Sequence, residues 1–245
     1  MSAQRTHRVA LVTGGARRVG RAIALALAGR GIDIAVHHSA SPDAAEETAK
    51  AIRALGADVQ LFPADLRDPD APDRLIDAVC GAFGRLDILV NSAAIMPRTP
   101  LGTVTVEQWD EVMALNLRAP FFLAQAAAPR LPEQGGVIIN IADLAAYETW
   151  PQYIPHALTK AGVVHMTRGL ARALAPRVRV NGVAPGMVLR PDGWSEADEA
   201  RLLRTTPLER GGSPDDVAQA VLYLIDAGYV TGETILVDGG RHVRT

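Results

Sequence analysis

A glycine-rich turn near the start of the chain is the feature that most limits what this sequence can fold into. Residues 8–20 run from a short apolar segment of strand length, through Gly14, into strong helix formers that begin at Gly20. A strand that turns through glycines into a helix presents free backbone N–H groups and the positive end of a helix dipole, which suit a phosphate. Arg18 stands where the middle glycine of such a turn is expected. Alone, the turn is weak evidence, because an ordinary strand-to-helix connection has the same pattern.

Apolar runs of strand length recur along the chain and alternate with segments of helical periodicity. This alternation predicts a parallel sheet with helices on both faces. Since no linker or repeat divides the 245 residues, we expect one doubly wound, Rossmann-type domain over 1–245 with a seven-stranded parallel sheet. The least regular stretch, 187–207, is interpreted as a substrate lid within that domain. The strands are expected at 8–12, 32–36, 57–62, 86–90, 136–141, 178–183 and 233–237.

Composition excludes several classes of function. The net charge of −2 and pI near 6.3 give no basic footprint for nucleic acid. No apolar run has membrane-spanning length, and the first residues lack the apolar region of a signal peptide. The single cysteine, Cys80, excludes an internal disulfide framework and suits a reducing cytoplasm, where it is expected to be a buried, inert thiol. We therefore expect a cytoplasmic protein with no membrane or nucleic-acid partner.

Polar and small residues collect where the predicted strands end, and ligands of doubly wound sheets bind at that edge. The second strand is followed by no acid until Asp43, whereas an NAD-binding protein usually places an acid there for the ribose diol. An acid would repel a 2′-phosphate, whereas hydroxyls, imidazole and Arg18 would accommodate it, so NADP(H) is favoured over NAD(H). Adjacent histidines on a strand point to opposite faces, so no shared metal site is expected. The cofactor candidates here are Gly14, Arg17, Arg18, Val19, Gly20, His37, His38, Ser39, Ser41, Asp65, Leu66, Asn91, Ser92 and Ala93.

A second group of polar residues follows the fifth strand. Asp143 comes two residues after it, and His156 and Lys160 lie four residues apart, which places them on one face of a predicted helix. Lys160 is one of only two lysines in the chain. Pro185 and Gly186 follow the sixth strand, and a Val-Asp-Gly-Gly segment ends the seventh.

The chain resembles the short-chain dehydrogenase/reductases over nearly its whole length. The resemblance is carried by the Thr-Gly-Gly-Ala-Arg-Arg-Val-Gly segment at 13–20 and by Val-Asp-Gly-Gly-Arg-His at 237–242. Within that family it is most similar to the pteridine reductases, because Arg18 replaces the middle glycine and Asp143 stands where most relatives carry serine. The resemblance also implies a homotetramer. Residues 155–175 agree with this, because they carry apolar and small side chains on more helix faces than one sheet can bury.

The resemblance assigns roles one residue at a time. Asn116 matches the asparagine that anchors a proton-relay water, and Lys160 matches the lysine that holds the nicotinamide ribose and lowers the pKa of its partner. Asp143 matches the carboxylate that pteridine reductases pair with the catalytic tyrosine. The implied catalytic residues are Asn116, Asp143, His156 and Lys160, and Lys160, Pro185, Gly186 and Val188 join the cofactor site. The candidate substrate pocket is Arg18, Met96, Tyr153 and Trp194.

Two positions depart from the family pattern. His156 stands where the catalytic tyrosine is expected, four residues before the lysine, and Met96 stands where an aromatic residue would stack on a pterin. Histidine can exchange a proton near neutrality, so an imidazolium at 156 could donate a proton to an imine nitrogen or a carbonyl oxygen as hydride arrives. The alternative is that the tyrosine was lost and ketones are no longer reduced. Tyr153 is expected to line the pocket, and Glu148 is a further candidate proton source.

The sequence therefore predicts an NADPH-dependent reductase acting on a C=N or C=O bond, with pterin-like or cyclic-imine substrates favoured. Two alternatives stay open: an ordinary ketone reductase or alcohol dehydrogenase, and a non-catalytic NADP(H)-binding sensor. A sensor would have no use for Lys160 and Asn116, and the presence of both residues argues for chemistry.

Overall fold

A computed structural model describes residues 7–189 and 195–243. Within them, seven strands form one parallel sheet in the order β3-β2-β1-β4-β5-β6-β7, which confirms the predicted fold class. Each predicted strand is present, although β6 continues two residues further than expected. The strands are β1 Val9–Val12, β2 Asp33–His38, β3 Val59–Pro63, β4 Ile88–Asn91, β5 Gly136–Ile141, β6 Val178–Pro185 and β7 Thr234–Val237.

Helices cover both faces of the sheet. The α-helices are α1 Arg18–Ala28, α2 Pro42–Ala54, α3 Ala71–Phe83, α4 Val106–Met113, α5 Ala119–Ala127, α6 Ile154–Leu174, α7 Glu196–Leu203 and α8 Pro214–Asp226. One apolar core lies between the sheet and α1, α2 and α8, and a second lies between the sheet and α3, α5 and α6. Strand β1 serves both cores because its side chains alternate: Ala10 and Val12 enter the first, Val9 and Leu11 the second.

Local sequence signals fix several helix ends. Thr105 with Gln108 and Ser213 with Asp216 form complete capping boxes at the starts of α4 and α8. A π-helical turn, Ala114–Arg118, joins α4 to α5. Single π-turns are frequent at functional sites, and the 3.6-residue periodicity used to find helices cannot reveal them.

The order of the strands places the site. Strand β1 pairs with β2 on one side and with β4 on the other, so the connections that follow β1 and β4 diverge at the carboxyl edge of the sheet. Doubly wound sheets bind ligands in the crevice that forms at this point. The predicted lid lies near the same edge; it contains α7, whereas its residues 190–194, and with them the predicted pocket residue Trp194, lie outside the described residues.

The sequence predicts neither a membrane-spanning segment nor a metal site, and the structure bears on both points for its described residues. No helix in 7–189 or 195–243 is long and apolar enough to cross a membrane. The same residues contain no cluster of three or more potential metal-ligating side chains. Cys80 lies on α3 and is half-buried, not fully buried as expected, because it lies at the edge of the apolar face of that helix; desolvation still raises the pKa of its thiol.

Candidate active site

One large cavity, of about 1130 Å³, opens at the carboxyl edge of the sheet and joins the two predicted groups of residues. It extends from the glycine turn after β1 to the start of α6. The predicted residues that line it are Gly14, Arg17, Arg18, Val19, Gly20, His37, Ser39, Ser41, Asp65, Leu66, Ser92, Ala93, Met96, Asp143, Tyr153, His156, Lys160, Pro185, Gly186 and Val188. His38, Asn91 and Asn116 do not line this cavity.

The glycine turn is built so that backbone comes unusually close to backbone. A Cβ atom on Gly20 would lie 2.2 Å from the carbonyl oxygen of Gly14, so only glycine fits there. Gly14 has a φ of +63° and lies against Ala93 after β4. Arg18 takes a φ of +53°, a left-handed conformation that costs a non-glycine residue about 1–3 kcal/mol. That conformation explains why a glycine would be expected at this position.

The start of α1 leaves its backbone donors free for an anion. Its N-cap, Arg17, makes no side-chain capping bond, and the first turn carries no acid. Because the first N–H groups of a helix have no intrahelical acceptor, they and the helix dipole favour a negatively charged group at this end. The side chains of Arg17 and Arg18 line the cavity beside them and add positive charge.

His37 holds the glycine turn in place. Its Nδ1 accepts a hydrogen bond from the backbone N–H of Gly14 at 3.1 Å, so its Nε2 carries the proton and donates to the carbonyl oxygen of Ala64 at 3.1 Å. Burial lowers the pKa of His37 to about 4, and the ring is therefore neutral at physiological pH. The ring therefore makes two hydrogen bonds to the backbone and carries no positive charge with which to bind a phosphate.

The rest of the β2 end carries no acid at the cavity. Ser39, Ala40 and Ser41 line it, whereas the ring of His38 is buried and its Nδ1 lies 3.3 Å from the carbonyl oxygen of Ser39. Asp65, after β3, also lines the cavity, but it is paired with Arg67, which lowers the pKa of its carboxyl. Because the carboxylate of Asp65 is paired with Arg67, Arg17 and Arg18 give this end of the cavity a positive charge.

His156 and Asp143 face each other on the opposite side of the cavity. The Nε2 atom of His156 lies 3.7 Å from Oδ2 of Asp143, and it has no hydrogen-bond partner among the described residues. The ring is 3% exposed, so this nitrogen is a buried polar atom directed at a carboxylate. The other oxygen of Asp143 accepts a hydrogen bond from the backbone N–H of Ala145 at 2.8 Å, which orients the carboxylate.

The contacts around Nδ1 of His156 define its protonation. Nδ1 lies 3.1 Å from the carbonyl oxygen of Ile95 and 3.3 Å from Nδ2 of Asn116. The amide protons of Asn116 have acceptors of their own, because Nδ2 lies 2.8 Å from that same Ile95 oxygen and 3.4 Å from Oγ1 of Thr159. Nδ1 therefore carries the proton and donates it to Ile95, which leaves Nε2 as the nitrogen whose proton can be exchanged.

Asn116 fixes the backbone that faces the histidine. It lies in the π-helical turn, and its Oδ1 accepts a hydrogen bond from the N–H of Ile95 at 2.9 Å. With Asn91, Asn140 and Lys160 it lines a second, small cavity of about 10 Å³, roughly enough for one water molecule. Asn91 points inward and donates to Oδ1 of Asn140 at 2.9 Å. Asn91 and Asn116 thus lie behind the large cavity.

Lys160 is a buried cation below the same site. Its Nζ donates a hydrogen bond to the carbonyl oxygen of Ile141 at 2.8 Å, and the residue is 5% exposed. Burial lowers the pKa of Lys160 to about 8, and the negative charge of Asp143 acts in the opposite direction. The lysine therefore titrates close to physiological pH.

The substrate side of the cavity contains residues that the sequence patterns did not reveal. Trp150 and Arg241 line the cavity together with the predicted Met96 and Tyr153. Glu148, a candidate proton source, is instead bound by the guanidinium of Arg241 at 2.9 and 3.1 Å. The one available signal was that Arg241 lies in the closing segment 237–242; nothing in the sequence linked it to residue 148.

Comparison with known proteins gives a consistent result. A family model described as enoyl-(acyl carrier protein) reductase matches residues 14–242. The 3-oxoacyl-(acyl carrier protein) reductase FabG of Staphylococcus aureus is 38% identical over 240 residues, which cover 96% of this chain and 98% of that protein. The 3-oxoacyl-(acyl carrier protein) reductase of Synechocystis sp. is 37% identical, with coverage of 96% and 97%. A solved dehydrogenase/reductase from Sinorhizobium meliloti 1021 is 36% identical, covers 96% of this chain and 94% of that chain, and has a TM-score of 0.90.

The chain belongs to the short-chain dehydrogenase/reductase family of oxidoreductases. This confirms the resemblance at the level of the family and of the enzyme class. The finer similarity to pteridine reductases stays a prediction. The two curated relatives are named for reducing 3-oxoacyl groups, so they favour the ketone-reducing alternative.

Proposed function

We propose that this short-chain reductase uses NADPH to reduce a ketone carbonyl, with His156 as the proton donor. The observation that carries the proposal is the buried Nε2 of His156, which has no hydrogen-bond partner among the described residues and faces Asp143 in the cavity that also contains the glycine turn. The 3-oxo group named for the relatives is a ketone, and we extend that chemistry to this chain.

The residues present fit nicotinamide adenine dinucleotide phosphate, NADP(H). The close approach of Gly20 to Gly14 and the free N–H groups of α1 make a cradle for a pyrophosphate, which a Cβ atom at residue 20 would fill. Arg17, Arg18 and the hydroxyls of Ser39 and Ser41 provide the acid-free environment that a 2′-phosphate requires. On the other side of the cavity, Lys160 would hold the nicotinamide ribose, and the backbone at 185–188 would meet the carboxamide. His38 and Asn91 do not line the cavity, and their contacts with the cofactor stay predictions.

The cofactor supplies a hydride when bound, and the chain supplies the proton. Protonated His156 holds Nδ1–H against the carbonyl oxygen of Ile95 and presents Nε2–H to the cavity. The carboxylate of Asp143 lies 3.7 Å from Nε2 at the cavity, and the hydrogen bond from Nδ1–H to Ile95 keeps the ring in one orientation during the transfer. As negative charge develops on the carbonyl oxygen, Nε2 gives up its proton and the ring becomes neutral, with Nδ1–H still bonded to Ile95.

A cyclic imine is a second candidate substrate, and Asp143 is the observation that favours it. Its side chain is 23% exposed and lines the cavity next to His156. A carboxylate at that place would attract the positive charge of a protonated C=N bond, whereas a serine hydroxyl would not. A non-catalytic sensor is disfavoured because it would have no use for a buried lysine and a buried imidazole with a free nitrogen.

We also propose that the protein works as a homo-oligomer, a tetramer by family resemblance, in the cytoplasm and on a small-molecule substrate. The surface of α6 exposes Ile154 and Leu158, and α5 exposes Phe121 and Phe122. Exposed large apolar side chains are typical of a surface that a second subunit covers.

Consumption of NADPH tests the proposed activity. The purified protein is incubated with a simple ketone, acetoacetyl-coenzyme A, dihydrobiopterin and a cyclic imine in parallel. We expect turnover of at least one ketone-containing compound, and turnover of the imine alone would replace the first candidate by the second. No consumption with any of the four, despite tight binding of NADPH, would contradict reductase function and favour a sensor.

A further inference from the structure

Trp150 is held rigidly at the edge of the substrate side. Its indole Nε1–H donates a hydrogen bond to Oε2 of Glu148 at 2.9 Å. The guanidinium of Arg241 lies 5.9 Å from the centre of the indole ring, over its face. The same guanidinium binds both carboxylate oxygens of Glu148, so three side chains fix one another.

This cluster is largely withdrawn from water, which makes its geometry well defined. The side chain of Arg241 is 12% exposed and that of Glu148 is 15% exposed, so their ion pair is less screened than a surface pair. The two charges neutralise each other, so the cluster does not offer a free cation for an anionic substrate. What it offers to the cavity is the aromatic surface of Trp150.

That surface is continuous with the reacting groups. The backbone N–H of Tyr153 donates to the carbonyl oxygen of Trp150 at 2.9 Å, and the two rings meet edge to face with centroids 6.5 Å apart. Tyr153 is the N-cap of α6, three residues before His156, and all three side chains line the same cavity. Apolar side chains of Met96, Met187 and Leu189 also line it.

We infer that Trp150, positioned by Glu148 and Arg241, selects substrates that carry a planar ring near the reacting carbonyl. This inference rests on the proposed ketone reduction and names its substrate class. A rigid ring gains offset or edge-to-face contacts with the indole and loses little conformational entropy on binding. A straight alkyl chain buries similar area but must give up several rotatable bonds. The aromatic surface of Trp150 therefore favours aryl-substituted ketones over open-chain 3-oxoacyl thioesters.

The test compares two ketones of equal carbon number with unconjugated carbonyls, phenylacetone, which carries a ring, and 2-nonanone, which carries an open chain. We expect the KM for phenylacetone to be at least fivefold lower than that for 2-nonanone. Trp150→Ala should raise the KM for phenylacetone at least fivefold and leave that for 2-nonanone within twofold. Trp109→Phe changes a tryptophan of α4 that does not line the cavity, so it should alter neither value.

Two further measurements keep the inference falsifiable if Trp150→Ala does not fold or if turnover is absent. Glu148→Gln keeps an acceptor for the indole N–H but removes the charge pair with Arg241, and it should raise the KM for phenylacetone at least twofold with little change in kcat. Calorimetric binding of 1-phenyl-2-propanol and 2-nonanol to the NADPH-loaded protein, in which cofactor and alcohol are both already reduced and cannot react, measures selectivity without catalysis. Preferential binding of the phenyl alcohol without any turnover would refute the proposed function but support the selection of planar rings by Trp150. Equal KM values, or equal binding of the two alcohols, would overturn the inference.

Discussion

The Nε2 atom of His156 lies 3.7 Å from Oδ2 of Asp143, while Nδ1 of the same ring lies 3.1 Å from the carbonyl oxygen of Ile95. The two nitrogens therefore have different tasks: Nδ1 anchors the ring to the backbone, and Nε2 faces the cavity. Proton delivery to a carbonyl that is being reduced requires the protonated ring, in which Nε2–H faces the cavity. The pair thus brings an imidazole nitrogen and a carboxylate together at the cavity.

Cofactor choice follows from the acid-free end of β2. We expect NADPH to bind at least tenfold more tightly than NADH, which corresponds to about 1.4 kcal/mol, because Arg17 and Arg18 lie at the cavity and no carboxylate follows β2. Ala40→Asp should shift the preference toward NADH by placing an acid there. Fluorescence titration measures both affinities, with Ala54→Asp at the exposed end of α2 as a control of equal charge. Equal affinities in the unmodified protein would contradict this account.

The stability of the fold should depend on the protonation of His37. Its pKa is about 4 when folded and about 6.5 in an unfolded chain, so the unfolded state binds more protons between these values. The free energy of unfolding should therefore fall as the pH is lowered from about 6.5 to 4, by up to about 3 kcal/mol from this residue.

Urea denaturation at several pH values measures this dependence, with His37→Asn as the comparison. Asparagine can accept from Gly14 but does not titrate, so the variant should lose part of the acid sensitivity. Parallel curves for the two proteins would show that His37 is not the group responsible.

Turnover should also fall as the pH rises through about 8, because Lys160 loses its positive charge there. The carboxylate of Asp143 raises the pKa of this lysine, so Asp143→Asn should move the alkaline decline of kcat to lower pH. Asp77→Asn on the exposed surface of α3 serves as the charge-matched control. A decline that stays at the same pH in Asp143→Asn would contradict the proposed coupling.

Light scattering at micromolar concentration tests the assembly. We expect a species larger than a monomer, and we expect Leu158→Glu to dissociate it, because Leu158 is 48% exposed on α6. Leu55→Glu, at an equally exposed leucine next to α2, should leave the assembly intact. A monomeric unmodified protein would refute the prediction of a homo-oligomer.

The strands and the glycine turn could be predicted because their signals are local. Buried parallel strands have nearly continuous apolar sequences, and Gly14 and Gly20 lie within a single turn. The role of His37 could not be predicted, since its partners are backbone atoms of Gly14 and Ala64 on other strand ends. The contact between Glu148 and Arg241 was likewise hidden, because the fold brings together two segments that are distant in the chain. His156 and Lys160 could be predicted because their four-residue spacing sets them on one face of α6, and Asp143 because it closely follows β5.

The most direct test of the central claim is the turnover of His156→Phe and His156→Tyr, measured together with their affinity for NADPH. Phenylalanine should lower kcat by about a hundredfold or more with NADPH affinity unchanged, because the glycine turn and Lys160 remain. Tyrosine should retain or improve activity on ketones, since it restores a proton donor four residues before the lysine. Full turnover in His156→Phe, with NADPH still bound, would show that the proton comes from another group and would contradict the account.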